Sequence, residues 1–178
     1  LDQIVRSGKA LYVGISQYNA EQTTKAAEVL NELGTSLLIH QPRYSMMDRW
    51  IENSLTKVLD EKGIGCIVFS PLEQGLLTNR YLNGIPSDSR AGKTGTFLKK
   101  ESITDDKITM IKKLNDIALK RDQTLAQMSI AWVLNNPVVT TALIGSSKVE
   151  QIDDAVNALK NLSFSEDELK AINEIILK

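Results

Sequence analysis

The chain has 178 residues, of which 42% are hydrophobic and 24% charged, with a formal net charge of -1. That length and apolar content suit one globular core and exclude a disordered polypeptide, while the near-neutral balance excludes binding to nucleic acid through bulk positive charge. No run of about eighteen apolar residues and no basic leader is seen, so neither a membrane span nor a signal peptide is expected, and the single cysteine, Cys66, fits a reducing, cytoplasmic setting.

In "LDQIVRSGK", Leu1, Ile4 and Val5 share a helical face and Gly8 stands as a stop, with no capping residue ahead. The chain is therefore expected to open inside a helix and to be the C-terminal part of something longer. "ALYVGIS", Ala10 to Ser16, reads as a strand, followed by a helix from a capping Asn19 to Gly34. Ser36 to Gln41 is a second strand, and Trp50 to Gly63 a second such helix. Gly65 to Leu72 makes a third strand, after which a polar stretch reaches about Ser102; a loop that long needs a functional reason. Helices follow over Thr104 to Arg121 and Thr124 to Asn135, the second opened by a Thr124/Gln127 capping box and stopped by Pro137. "TTALIG" is a fourth strand, "SSKVEQIDDAVNALK" its helix, and Ser165 with Glu168 caps a last helix.

Four strands read as buried on both faces, each followed by a helix, imply an α/β fold with a parallel sheet. A doubly wound sheet would carry a G-x-G-x-x-G turn after its first strand, and "GISQYN" lacks that spacing. A (β/α)8 TIM barrel needs about 250 residues and eight units. The expectation is the C-terminal half of such a barrel, with about four βα units plus an extra C-terminal helix, as a single partial domain over 1–178.

Barrel chemistry sits at the C-terminal ends of the strands. Here they read Ser16-Gln17-Tyr18, Gln41-Pro42-Arg43-Tyr44, Phe69-Ser70-Pro71-Leu72 and Gly145-Ser146-Ser147-Lys148. They hold no paired carboxylates, metal cluster or Ser-His-Asp set, but they are rich in binding parts. A small-residue turn entering a helix N-terminus beside a Lys suits a phosphate, and an aromatic at a strand end offers a stacking face. Each residue also has a plainer reading. Phe69 alone is a packing aromatic, Ser70-Pro71 a strand-to-turn junction, and Arg90 a surface-loop residue. Lys148 is a solvated charge that sits badly on the helix dipole unless an anion answers it. His40, the one histidine, reads as structural, and Cys66 as an inert buried thiol.

"YVGISQYN", "HQPRYSMMDR", "FSPLEQGLLTNRY", "GIPSDSRA" and "LIGSSKVEQIDD" together resemble the C-terminal half of an aldo-keto reductase, in the branch that includes the glyceraldehyde-3-phosphate reductases and the potassium-channel β subunits. The resemblance covers essentially the whole chain. It implies a barrel that binds NADPH in extended form. By that resemblance Ser16 and Gln41 hold the nicotinamide carboxamide and Phe69 stacks on its ring. Ser70, Pro71, Leu72, Gln74 and Gly75 wrap the pyrophosphate, with Arg80 on it, and Arg90 closes on the 2′-phosphate. Gly145, Ser147 and Lys148 form the 2′-phosphate turn, and Gln151 and Asp154 hold the adenosine. The sequence departs from the family where Gln17 replaces a common Asn, Asp154 a longer Glu and Ala155 an Asn, which weakens the expected adenine contacts more than the phosphate site.

The family's catalytic Asp, Tyr, Lys and His belong to the N-terminal half, so no catalytic residue is expected here. Tyr12, Tyr18, Tyr44 and Tyr81 do not match the catalytic position. The implied activity is carbonyl reduction of small aldehydes or ketones by the complete barrel, with this chain supplying the cofactor half. The alternatives are a non-catalytic NADP(H)-binding module and an inactive truncation. Half of a closed barrel would expose strand edges that favour self-association.

Overall fold

A computed structural model of the chain describes residues 1–87, 89, 91–92 and 98–177. The elements are α1 (Asp2–Arg6), β1 (Val13–Ser16), α2 (Ala20–Glu32), β2 (Leu37–Gln41), α3 (Leu55–Lys62), β3 (Gly65–Phe69), α4 (Asp105–Lys120), α5 (Leu125–Leu134), β4 (Val139–Leu143), α6 (Val149–Asn157) and α7 (Glu166–Ile176). Local chemistry sets most of these limits. Capping boxes at Asn19/Gln22, Thr124/Gln127 and Ser165/Glu168 satisfy the first free N–H groups of α2, α5 and α7, and Gly63, at φ 62°, ends α3 in the left-handed region.

Several boundaries differ from the sequence expectation. β1 begins at Val13 because its register with β2 starts there, which leaves Leu11 and Tyr12 83% and 70% exposed. β3 ends at Phe69, where Ser70 turns to φ 57°. The expected helix from Trp50 is a 3-10 turn over Trp50–Asn53 and then α3, separated by Ser54 at φ -161°. In the long polar stretch, 3-10 turns form at Glu73–Gly75, Asn79–Tyr81 and Lys100–Ser102.

The sheet is parallel throughout, in the order β1-β2-β3-β4. With right-handed crossovers, an order that never reverses places every connecting helix on one face. A doubly wound sheet requires a reversal, so the order is consistent with part of a (β/α)8 barrel.

Register and alternation divide the side chains between two faces. Val13, Leu37, Cys66, Val68 and Val139 face the helices and are buried, together with Leu30, Leu55, Leu59, Leu114, Leu125 and Met128. Each such side chain contributes about 1.5–3 kcal/mol when fully buried. The opposite face carries Gly14, Ser16, Ile39, Gln41, Gly65, Ile67, Phe69, Thr141 and Leu143, none of them fully buried. The expectation of strands buried on both faces is therefore corrected: among the described residues only the helix face is covered. Ile39 fills the space between Gly14 and Gly65; a Cβ on Gly14 would come 2.6 Å from its Cγ2 and 2.8 Å from its carbonyl oxygen. β1 and β4 are the outer strands, and beside β4 helix α6 presents an exposed stripe of Val149, Ile152 and Val156.

Candidate functional site

Because the strands run parallel, their C-terminal ends form one rim. Ser16 is in register with Gln41, and Phe69 with Leu143, while Arg43 bridges to Phe69. Four non-glycine residues at this rim, Gln17, Ser70, Glu73 and Gln74, have positive φ. Such conformations cost about 1–3 kcal/mol each and persist where the surrounding structure holds them.

Beside the rim lies a cleft of about 660 Å³, within the range of small-molecule and cofactor sites. The β3 loop forms one wall with Ser70, Pro71, Leu72, Gln74 and Gly75, continued by Thr78 and Arg80. The facing wall is the turn after β4, Gly145 to Ser147, with Gln151 and Asp154 from α6, and α5 supplies Thr124, Ala126 and Ile130. Leu143 and Ile144 make an apolar end near Phe69, and the N-terminus of α6 makes a polar one. The β4 turn is internally braced: Gln151 Oε1 accepts from the Ser147 N–H at 2.8 Å, and the Ser146 hydroxyl donates to the Lys148 carbonyl at 2.7 Å. Asp154 lines the cleft, yet its carboxylate accepts from Gln127 Nε2 at 2.6 Å and from the Thr124 hydroxyl at 3.2 Å, which seats α6 on the capping box of α5.

Among the residues singled out from sequence, Ser70, Pro71, Leu72, Gln74, Gly75, Arg80, Gly145, Ser147, Gln151 and Asp154 come together around this cleft. Lys148 is the exposed N-cap of α6, beside the lining Ser147 but outside the lining itself. Ser16, Gln41 and Phe69 stand on the open sheet face instead, and the Ser16 hydroxyl donates to the Gln41 carbonyl at 2.7 Å. Arg90 lies outside the described residues.

The remaining titratable candidates are structural. His40 is buried on the helix face, its Nε2 3.0 Å from the Tyr18 carbonyl and its Nδ1 without a partner; burial holds its pKa below the ordinary value. Burial pushes the Cys66 thiol up to about 11, which leaves it un-ionised and inert. Tyr44 is raised by burial as well, and its hydroxyl donates to Glu52 at 2.6 Å. No group of three or more His, Cys, Asp or Glu that could hold a metal ion occurs among the described residues, and no helix among them is long and apolar enough to cross a membrane.

Sequence reasoning missed Arg43 and Glu73. They pair through Arg43 Nη2 and Glu73 Oε1 at 2.5 Å across a separation of thirty residues, which no local pattern signals.

A model of the aldo/keto reductase family matches residues 1–177. The chain is 46% identical over 180 residues to an L-glyceraldehyde 3-phosphate reductase of Escherichia coli O157:H7, covering 99% of this chain and 52% of that protein. It is 32% identical over 180 residues to a putative voltage-gated potassium channel subunit beta of Schizosaccharomyces pombe, covering 98% and 52%. Identity to an uncharacterized oxidoreductase of Bacillus subtilis is 30% over 172 residues, covering 96% and 50%. The chain thus spans about half the length of these curated relatives.

Proposed function

Since this chain belongs to the aldo/keto reductase family, we propose that it is the cofactor-binding half of an NADPH-dependent carbonyl reductase acting on small aldehydes or ketones. The observation that carries the reading is the cleft itself, which runs from the apolar strand end at Leu143 and Ile144 to the polar N-terminus of α6. Its donor set suits an extended dinucleotide. Hydroxyls of Ser70 and Ser147, the Gln74 amide and the Arg80 guanidinium border the middle, where a pyrophosphate needs donors. Phe69 and Leu143 offer flat apolar surface for a ring, and Ser16 and Gln41 stand on the same rim.

Lys148 places a cation at the positive end of the α6 dipole, an unfavourable position that an anion there would turn favourable. This supports NADPH over NADH, because the 2′-phosphate is that anion. When bound, NADPH supplies the hydride for the carbonyl carbon. The chain's own residues bind and orient it, and the proton for the carbonyl oxygen comes from a donor outside this chain. The uncovered sheet face, the outer strands and the α6 stripe are the surfaces that the rest of a barrel covers; in the chain alone they favour self-association.

Fluorescence titration of the chain with NADPH and NADH tests the reading. NADPH is expected to bind at least about tenfold more tightly, and Lys148→Glu to remove most of that difference. Equal affinities would overturn the NADPH assignment, and absence of saturable binding would overturn the cofactor reading. The likeness to potassium-channel β subunits favours a second reading, a binding module without turnover. In either case aldehyde-dependent NADPH oxidation by this chain alone is expected to be absent, and measurable turnover would refute a proton donor outside it.

A further inference from the structure

We propose that Arg43 is a positioning residue for the cleft: without lining it, Arg43 fixes the Ser70 to Gly75 wall through Glu73. The inference rests on the cofactor reading above.

Glu73 stands in the middle of that wall, between Leu72 and Gln74, which line the cleft, but it does not line the cleft itself. Its φ is 46°, with Ser70 at 57° and Gln74 at 58°, so three residues of this short loop hold a conformation that L side chains disfavour. Local bonds wind the loop. The Glu73 N–H donates to the Ser70 carbonyl at 2.9 Å, Gly75 to Leu72 at 2.8 Å and Leu77 to Leu72 at 3.1 Å. These bonds set its shape, and all lie within the loop, so they do not set where it sits on the rim.

Its ends are anchored by the backbone bonds between Phe69 and the Pro42 to Tyr44 segment and by buried Leu76 and Leu77, and its middle is tied to the rim by the Glu73 carboxylate. One oxygen takes Arg43 Nη2 at 2.5 Å and the other takes the hydroxyl of buried Ser45 at 2.8 Å, both from the segment after β2. Arg43 is in turn anchored on several sides. Its N–H donates to Gln17 Oε1 at 2.8 Å, its carbonyl accepts from Trp50 Nε1 at 2.9 Å, and its Nε lies 2.9 Å from Asp48 Oδ2 in an ion pair without hydrogen-bond alignment. One residue therefore joins the ends of β1, β2 and β3 and holds two of the strained residues, Gln17 and Glu73. Charge-assisted bonds of this kind are directional, and a guanidinium holds its donors in a rigid planar fork where an ammonium is a compact point charge on a flexible stem.

The test is a double-mutant cycle in the full chain, with Arg43→Ala, Glu73→Gln and the pair, reading the NADPH dissociation constant by fluorescence and the unfolding midpoint without ligand. Wild type is expected to bind saturably, each single variant roughly tenfold more weakly, and the double variant no worse than either, because coupled residues fail to add. Arg43→Lys is expected to restore part of the affinity. Glu73→Gln keeps the shape and the Ser45 bond, so it carries the test if Arg43→Ala does not fold. A merely structural pair would lower the midpoint and leave the dissociation constant of the folded protein unchanged. That result, with wild type still binding, overturns the positioning role and spares the cofactor reading. A wild type that does not bind NADPH overturns both.

Discussion

Replacing Arg121 with Ala should be among the most damaging single changes in this chain. The guanidinium side chain is only 3% exposed; its Nη1 lies 2.8 Å from Glu168 Oε2, its Nε donates to Gln123 Oε1 at 2.9 Å, and its Nη2 donates to the Ser163 carbonyl at 2.9 Å. It also stacks on Phe164, 3.7 Å from the ring centroid. Glu168 is 30% exposed and would be rehydrated, so its share is small. The Gln123 and Ser163 acceptors would lose partners at about 1 kcal/mol or more each, and the ring contact adds about 1–2 kcal/mol once desolvated. With the cavity left behind, the loss should be about 3–5 kcal/mol, most of it from the two orphaned acceptors, the ring contact and the lost packing. Urea unfolding reads this as a fall of roughly 2 M in midpoint for an m-value near 2 kcal/mol/M. Arg121→Lys should recover less than half, since an ammonium cannot serve three acceptors in a fork. A loss under about 1 kcal/mol would refute the claim that this guanidinium ties the α4/α5 junction to the segment between α6 and α7. The pH dependence gives a second check. Burial raises the Glu168 pKa, but the Ser165 N–H and Arg121 outweigh it and hold the carboxyl below its ordinary 4.5. Its stabilising share is therefore full above about 4.5 and is lost as pH falls through the lower folded value, a limb that Arg121→Ala should flatten.

His40, held by burial below its ordinary 6.5, takes up a proton more readily when unfolded. Stability should therefore fall as pH drops below 6.5, and denaturation between about pH 5 and 7 should show His40→Gln without that slope. Gly14→Ala forces a Cβ to 2.8 Å from a backbone oxygen and should cost about 1–3 kcal/mol by chemical denaturation, whereas a Cβ at Gly34 meets nothing within 4 Å and its Ala variant should lose only the cost of its positive φ. Cys66, buried and raised to about 11, should react with iodoacetamide only as fast as the chain unfolds; rapid labelling under native conditions would contradict its burial.

What the sequence determined by itself is what neighbouring residues decide among themselves. Asn19, Thr124 and Ser165 cap helices through partners three residues away, and Gly63 stops α3 by its own backbone freedom, so these features were legible without a fold. Alternation of strand and helix, with no phosphate-loop glycines, likewise pointed to a single winding, which the strand order has. The turns Ser70 to Gly75 and Gly145 to Ser147 were legible as binding-type stretches because each is short and contiguous, whereas Thr124, Ala126 and Ile130, which α5 brings to the cleft, were not. The tertiary structure alone decided the rest. Where β1 begins depends on a register with β2, and Leu11 and Tyr12, strand-like in sequence, have no partner there. That Asp154 is engaged by Thr124 and Gln127, and that Arg43 clamps Glu73, follow from packing that brings distant segments within about 3 Å. Charge pairs between separate loops leave no periodicity in the chain, since their spacing is set by the sheet and not by the residues between them.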